Sequence, residues 1–141
     1  MRRSEDDSLK EYGGIAIVRM DRKALKPLEW VGSSKEELKA FPANVKDHVG
    51  FALYQAQAGL KHRDAKPLKG LGSGVLEVVS RHDGDTYRAV YTVRFKGAVY
   101  VLHAFQKKAK KGIATPKQEI DFVKHRLKVA ERHYKDTYGD G

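Results

Sequence analysis

The sequence contains no cysteine, no long hydrophobic run and no internal repeat. Without cysteine, the protein has no disulfide framework, no thiolate nucleophile and no zinc–thiolate site, which suits a reducing cytoplasm. A membrane-spanning helix needs an apolar run of roughly 18 residues, and the sequence has none. We therefore expect a cytoplasmic protein that does not act on a membrane.

Acidic residues are scarce relative to basic ones. The chain has 28 Lys and Arg against 18 Asp and Glu, so its net charge is +10. Between residues 61 and 111 the counts are 12 against 4, a net charge of +8. This balance favours a polyanionic partner such as nucleic acid, a ribosome or an acidic protein.

A length of 141 residues with 40% hydrophobic residues predicts one globular domain with its own core. We assign this domain to residues 27–138. Residues 1–26 differ, because they are charged and turn-rich and show no sustained periodicity. We expect them to form a partly disordered extension, in which Met20 is an alternative start.

Helical patterns lie on both sides of a central sheet. A short strand over 28–31 precedes two helices, the first capped by Ser33 or Ser34 and the second started by Pro42. The apolar stripe of the second helix is Val45, Val49, Ala52, Leu53 and Ala56. This helix pair is predicted to cover one face of the sheet.

A last helix is predicted after Thr115 as the cap, with Pro116 at its first position and Gln118 completing a capping box. Its apolar side is Ile120, Val123, Leu127, Ala130 and Tyr134. Its opposite, basic side is Lys117, Lys124, Arg126, Lys128, Arg132 and Lys135. A basic helix face of this kind is most simply a solvated surface.

A basic, glycine-rich loop is predicted over residues 61–74. Lys66 and Lys69 stand on either side of Pro67-Leu68. The loop lacks the glycine and lysine pattern of a phosphate-binding P-loop. Coulombic contact with phosphates and a plain solvated connection are both compatible with it.

Residues 75–111 predict three antiparallel strands that end in a lysine cluster. Asp83-Gly84 and Lys96-Gly97 are hairpin signals. A loop over 82–85 and a two-residue turn at Lys96-Gly97 set the register. The resulting opposite pairs are Arg81 with Thr86, Val79 with Arg88, Arg88 with Phe105, Val90 with His103, Arg94 with Val99, and Phe95 with Ala98.

The alternation of side chains then gives this sheet one apolar face and one face with ionisable groups. The predicted core face is Leu76, Val78, Tyr87, Ala89, Tyr91, Val93, Phe95, Tyr100, Leu102 and Ala104. The other face carries Glu77, Arg81, Arg88, Arg94, His103, Phe105 and Lys107. Because ionisable groups gathered on one face of a small sheet need a reason, we place the candidate site there.

The order of elements and several motifs resemble the RelE/ParE superfamily of type II toxin–antitoxin toxins, and its HigB-like, phage-derived branch in particular. The resemblance covers roughly residues 27–135. The motifs that carry it are WVGSSKEELKAFP at 30–42, KPLKGLGSGVLEVV at 66–79, DTYRAVYTV at 85–93, VYVLHAFQKKAKKG at 99–112 and ATPKQEI at 114–120.

The resemblance implies an α+β, RelE-like (microbial-RNase-like) fold: a small, mostly antiparallel sheet, two N-terminal helices on one face and a C-terminal helix. It implies cleavage of mRNA on the ribosome without a cofactor. It also implies a cognate antitoxin with a helix-turn-helix DNA-binding domain, through which alone the toxin would reach operator DNA.

Position by position, the resemblance identifies Arg88 as the arginine of the family's Tyr-Arg motif. It identifies Lys107 and Lys108 as the basic cluster after the last strand. Well-known RelE members carry two lysines on the first strand of the meander, where this chain has Glu77 and Val79. The tyrosine that some members use near the last helix has no evident counterpart here.

Metal-independent RNA cleavage needs a base, an acid and cations that stabilise the phosphorane. Glu77 and His103 are the strand residues on the site face that suit proton transfer, and Arg88 and Lys107 suit phosphate. The further residues expected to contact RNA are Lys66, Lys69, Arg81, Phe105, Lys108, Lys110 and Lys111.

Each role has a structural alternative. Glu77 and Arg88 are also explained as a cross-strand ion pair, and His103 as a structural histidine. The other histidines show no ligand spacing, so no metal site is predicted. As a whole, the chain is predicted to be an endoribonuclease toxin. The alternative is a non-catalytic nucleic-acid-binding module or a ParE-like toxin that inhibits gyrase.

Overall fold

The structure, a computed structural model, describes residues 25–107 and 115–139. These residues contain three helices and five strands. In chain order they are β1 Leu28–Trp30, α1 Ser34–Lys39, α2 Ala43–Gln57, β2 Ala65–Pro67, β3 Val75–His82, β4 Asp85–Thr92, β5 Val99–Lys107 and α3 Lys117–Tyr138. The predicted α+β class, with two N-terminal helices and a C-terminal helix, is confirmed. No described helix is both long and apolar enough to cross a membrane.

The strands form one sheet in the order β1-β5-β4-β3-β2. β3, β4 and β5 make the predicted antiparallel meander, while β1 pairs with β5 in parallel. β2 is an edge strand within the stretch predicted to be a loop. Pro67 suits this position, because a proline cannot donate to a neighbouring strand and is tolerated at a sheet edge.

The first hairpin confirms the predicted register. Asp83 and Gly84 have positive φ angles of 50° and 81°, the left-handed conformation that a two-residue hairpin turn requires. Arg81 therefore lies opposite Thr86, and Val79 lies opposite Arg88.

The second hairpin departs from the prediction. Its strands end at Thr92 and resume at Val99, so Lys96-Gly97 is not a two-residue turn, and the pairs Arg94–Val99 and Phe95–Ala98 do not form. Val90 still faces His103, but the next pair is Tyr91 with Val101. Leu102 is thus an extra residue, a β-bulge, that no periodic pattern announces.

The bulge changes the face on which part of β5 lies. Tyr100 and Leu102, predicted on the face beneath the helix pair, lie instead in a second core with Val90. Both faces of the sheet are therefore covered. The helix pair packs over Val78, Ala89 and their neighbours, and α3 packs its apolar stripe, Val123, Leu127, Ala130 and Tyr134, on the other face.

The ends of the helices are one residue away from the prediction. Pro42 and Pro116 are the N-cap residues of α2 and α3 rather than their first helical positions. Ser33 is the N-cap of α1, yet its hydroxyl makes no capping bond. The hydroxyls of Ser33 and Thr115 donate instead to the carboxylates of Glu37 and Glu77.

Candidate functional site

The second sheet face brings the predicted site residues into three neighbouring cross-strand rows. Side chains directly opposite one another in a sheet point to the same face. The rows are Glu77, Val90 and His103, then Val79, Arg88 and Phe105, then Arg81, Thr86 and Lys107. The predicted grouping of Arg88, Phe105 and His103, with Glu77 diagonal to Arg88, is confirmed.

Arg88 lies in the middle strand and is buried, with 8% of its surface exposed. One guanidinium N–H group faces Glu77 at 3.3 Å and the Thr115 hydroxyl oxygen at 3.2 Å. Thr115 in turn donates its hydroxyl to the other Glu77 oxygen. Glu77, Arg88 and Thr115 thus form a closed group, in which Thr115 joins the residues just before α3 to the sheet.

His103 is also buried, with 7% of its surface exposed. Its Nδ1 lies 3.0 Å from a carboxylate oxygen of Glu37 in α1, and its Nε2 lies 2.7 Å from Glu119 in α3. Both ring nitrogens of His103 therefore face carboxylate oxygens. Phe105 stacks on the imidazole with ring centres 4.8 Å apart, and Phe122 meets it edge-on.

Arg126 extends this group in a way that the sequence analysis missed. It was assigned to the solvated side of the last helix, yet only 8% of it is exposed. Its guanidinium donates to both oxygens of Glu37 at 3.2 Å and to the carbonyl of Leu102 at 2.8 Å. Since residue 126 is three after Val123 and four before Ala130, helical spacing alone places it beside the buried stripe.

Glu37 is the centre of this second group. Burial by itself raises the pKa of its carboxyl. Hydrogen bonds from the Ala104 backbone N–H, His103, Arg126 and Ser33 more than offset that effect, so the pKa lies below its ordinary value. The bond from Ala104 also occupies the edge of β5 that the short strand β1 leaves open. Glu37 is therefore ionised at neutral pH and ties α1, β5 and α3 together.

The predicted RNA-binding cations divide into two sets. Lys66, Lys69 and Arg81 are exposed, and Lys107 is partly exposed at the end of β5. Lys66 lies opposite Glu77 at the β2 edge, while Arg81 and Lys107 flank Thr86. Lys108, Lys110 and Lys111 lie outside the described residues. The exposed cations thus border the buried groups at the edge and at the open end of the sheet.

The group around Arg88 and the group around Glu37 contain phosphate-binding cations and proton-transfer side chains, but these side chains are largely buried and already paired with one another. Glu77 and Arg88 already neutralise each other, and His103 already bonds two carboxylates. Among the described residues, one set of side chains could hold a metal ion: His48, His62 and Asp64. That set lies on the other face of the sheet, away from Arg88.

Two solved structures are similar to the chain. One is a double arginine-to-alanine mutant of the E. coli toxin RelE in the free state, with 18% identity, a TM-score of 0.48, and coverage of 74% of this chain and 97% of that chain. The other is the toxin–antitoxin complex RelBE2 from Mycobacterium tuberculosis, with 18% identity, a TM-score of 0.41, and coverage of 62% and 98%. Likenesses of this size carry no argument about function.

No curated protein matches the sequence. The family model described as "Phage derived protein Gp49-like" matches residues 36–128, which is more than half of the chain. This match spans α1, the whole meander and the first half of α3, and so includes Glu37, Glu77, Arg88 and His103. The chain therefore belongs to the Gp49-like family of phage-derived proteins, a family of RelE/HigB-type toxins, as its motifs indicated.

Proposed function

We propose that the protein is the toxin of a type II toxin–antitoxin system and a metal-independent endoribonuclease that cleaves mRNA on the ribosome. One observation carries the proposal. In a chain of this toxin family, one sheet face holds an arginine, a glutamate and a histidine in adjoining rows, bordered by exposed cations.

Each residue has a distinct part in the proposed reaction. Arg88 binds the scissile phosphate with two N–H groups, and Lys107 adds a point charge as negative charge develops. Glu77 and His103 exchange protons with the 2′-hydroxyl and the leaving 5′-oxygen. Phe105 stacks on a base. The exposed cations Lys66, Lys69 and Arg81, with Lys108, Lys110 and Lys111, follow the RNA backbone.

The enclosed geometry sets a condition on this mechanism. Arg88 bonds Glu77 and Thr115, so an RNA phosphate has to replace the Thr115 hydroxyl. A phosphate is the stronger partner for a guanidinium, because both groups are charged and the contact is bidentate. Thr115 stands two residues before α3, so the exchange shifts the chain at the entry to this helix.

A second candidate function has an observation in its favour. Glu77 and His103, the two proton-transfer candidates, both lie in buried ion pairs and so serve packing as they stand. A toxin that only binds would need the positive charge and not the proton transfer. A non-catalytic nucleic-acid-binding module, or a toxin that inhibits gyrase, fits that description.

The proposed partners follow from the same surface. We propose a cognate antitoxin that carries a helix-turn-helix domain. Its acidic or apolar residues cover the basic end of the sheet, where Arg81 and Lys107 lie, and so shield Arg88. In the RelBE2 structure, a toxin of similar outline is complexed with its antitoxin. A complex of this protein that left the basic sheet end open to solvent would require inhibition by another route.

The test is induction of the protein in a bacterial host with mapping of mRNA 5′ ends. Wild type should arrest growth and create new ends within translated reading frames. Lys107→Ala should reduce both effects, while Arg132→Ala, which removes an exposed arginine of α3, should leave them unchanged. Growth arrest without new 5′ ends would favour the gyrase-inhibiting alternative, and no arrest at all would overturn the proposal.

A further inference from the structure

His48, His62 and Asp64 come together on the face of the sheet that α2 covers. His48 lies in α2, and the other two lie in the connection between α2 and β2. One potential ligand atom from each lies within 4.8 Å of those of the other two. The sequence spacing of 14 and 2 residues gave no motif, because only the turn of the chain after α2 brings the three residues together.

The distances suit a small transition-metal ion. His48 Nε2 lies 2.8 Å from Asp64 Oδ2, and His62 Nδ1 lies 3.9 Å from the same oxygen. In a tetrahedral site with bonds of ~2.0 Å, ligand atoms are ~3.3 Å apart. The observed values lie on either side of this separation, so small side-chain rotations suffice to admit an ion.

One of the two histidines, His48, is also held as a metal ligand is. His48 Nδ1 lies 2.8 Å from the hydroxyl of Ser80, a buried residue of β3. Ligand histidines regularly bond a second group through the nitrogen that does not hold the metal, and this bond fixes the ring. His62 Nδ1 accepts the Asp64 backbone N–H at 2.9 Å, so an ion bound through this nitrogen has to replace that hydrogen bond.

We propose that His48, His62 and Asp64 bind one Zn²⁺ ion, with the fourth position left to water. Two imidazoles and a carboxylate are ligands that zinc accepts, and a chain without cysteine offers no thiolate set. Asp64 is 44% and His48 is 27% exposed at the side chain, so an ion can enter.

The proposed ion would stabilise the fold rather than act in RNA cleavage. It joins α2 to the chain that enters edge strand β2, and through Ser80 it is anchored on β3. Arg88 and His103 lie on the opposite face of the same sheet. The zinc site is therefore independent of the proposed nuclease, and either can fail without the other.

The test is calorimetric titration of Zn²⁺ into the untagged, chelator-treated full chain. We expect one ion per chain, a rise in melting temperature, and a visible absorption spectrum of tetrahedral type when Co²⁺ replaces Zn²⁺. His48→Gln, His62→Gln and Asp64→Asn should each weaken binding at least ~10-fold, and Ser80→Ala should weaken it ~10–100-fold.

The matched control is His125→Gln, which removes an exposed histidine of α3 and should bind as wild type does. If a histidine variant fails to fold by circular dichroism, Asp64→Asn decides, because the Asp64 side chain is 44% exposed and is not part of the core. Absence of stoichiometric binding, or unchanged affinity in Asp64→Asn, would overturn the proposal.

Discussion

At the scale of single residues, the site face consists of ion pairs whose members also suit catalysis. Arg88 pairs with Glu77, and His103 lies between the carboxylates of Glu37 in α1 and Glu119 in α3. Removing one partner of a buried pair leaves the other uncompensated and costs ~3–5 kcal/mol. Catalytic and structural roles must therefore be separated by measurements that do not depend on stability alone.

Three substitutions separate binding from proton transfer. Arg88→Ala and Lys107→Ala should weaken ribosome or RNA binding and flatten its salt dependence, because each removes a phosphate contact. Glu77→Gln should leave binding intact and slow single-turnover cleavage, since acid–base groups contribute ~10²–10⁴-fold in rate. Circular dichroism controls for folding. A wild-type cleavage rate in Glu77→Gln would leave Glu77 as a structural partner of Arg88, and proton transfer would then rest on His103.

Glu37 gives a prediction about stability and pH. Its pKa is lower in the folded state than its ordinary value of 4.5, so the unfolded chain binds the proton more readily. This contribution to stability is complete above pH ~4.5 and is lost as the pH falls through the folded-state pKa. Glu37→Gln should cost ~2 kcal/mol at pH 7 in urea unfolding.

The same comparison carries its own control. The difference between wild type and Glu37→Gln should shrink as the pH is lowered, because wild type loses the charge as well. Glu36→Gln alters the exposed neighbour and should have little effect at any pH. Equal losses for the two variants would show that the Glu37 group contributes no more than surface charge does.

At the scale of elements, features encoded by adjacent residues were predicted from the sequence, and features that depend on distant contacts were missed. The Asp83-Gly84 hairpin and the stripe of α2 were predicted correctly, because turn chemistry and periodicity are encoded in adjacent residues. The bulge at Leu102 and the burial of Arg126 were missed, because each depends on a distant partner. The rows of the site were predicted correctly, because the predicted pairing of β4 with β5 matches the structure from Val90–His103 to Thr86–Lys107.

Substitutions at two glycines test whether the helical pattern of α2 and the hairpin signal at Asp83-Gly84 act as the sequence indicates. Gly50 lies on the exposed side of α2 with open space around it, so Gly50→Ala should stabilise the protein by ~0.5–1 kcal/mol. Gly84 also has open space, but its φ is +81°, so Gly84→Ala should destabilise by ~1–2 kcal/mol. The free energy of unfolding measures both. Changes of the same sign would show that the hairpin does not require the left-handed conformation.

At the scale of the whole molecule, the domain is one sheet covered by helices on both faces. The extension over residues 1–26 remains a prediction, since residues 1–24 lie outside the described part of the chain. Deletion of residues 1–19 should leave the melting temperature unchanged, because their sequence shows no sustained apolar periodicity that would complete a core. A large loss of melting temperature would show instead that the apolar stretch at 15–18 belongs to the fold.

The parallel pairing of β1 with β5 bears on when the fold can be completed during synthesis. β1 is translated early, yet its partner strand is 71 positions later in the register, at Val99 opposite Leu28. Glu37 likewise meets its partners only when residues 103, 119 and 126 exist. Contacts across such long sequence separations are slow to form. A nascent chain therefore cannot complete the Glu37 group until the residues of α3 have been synthesised.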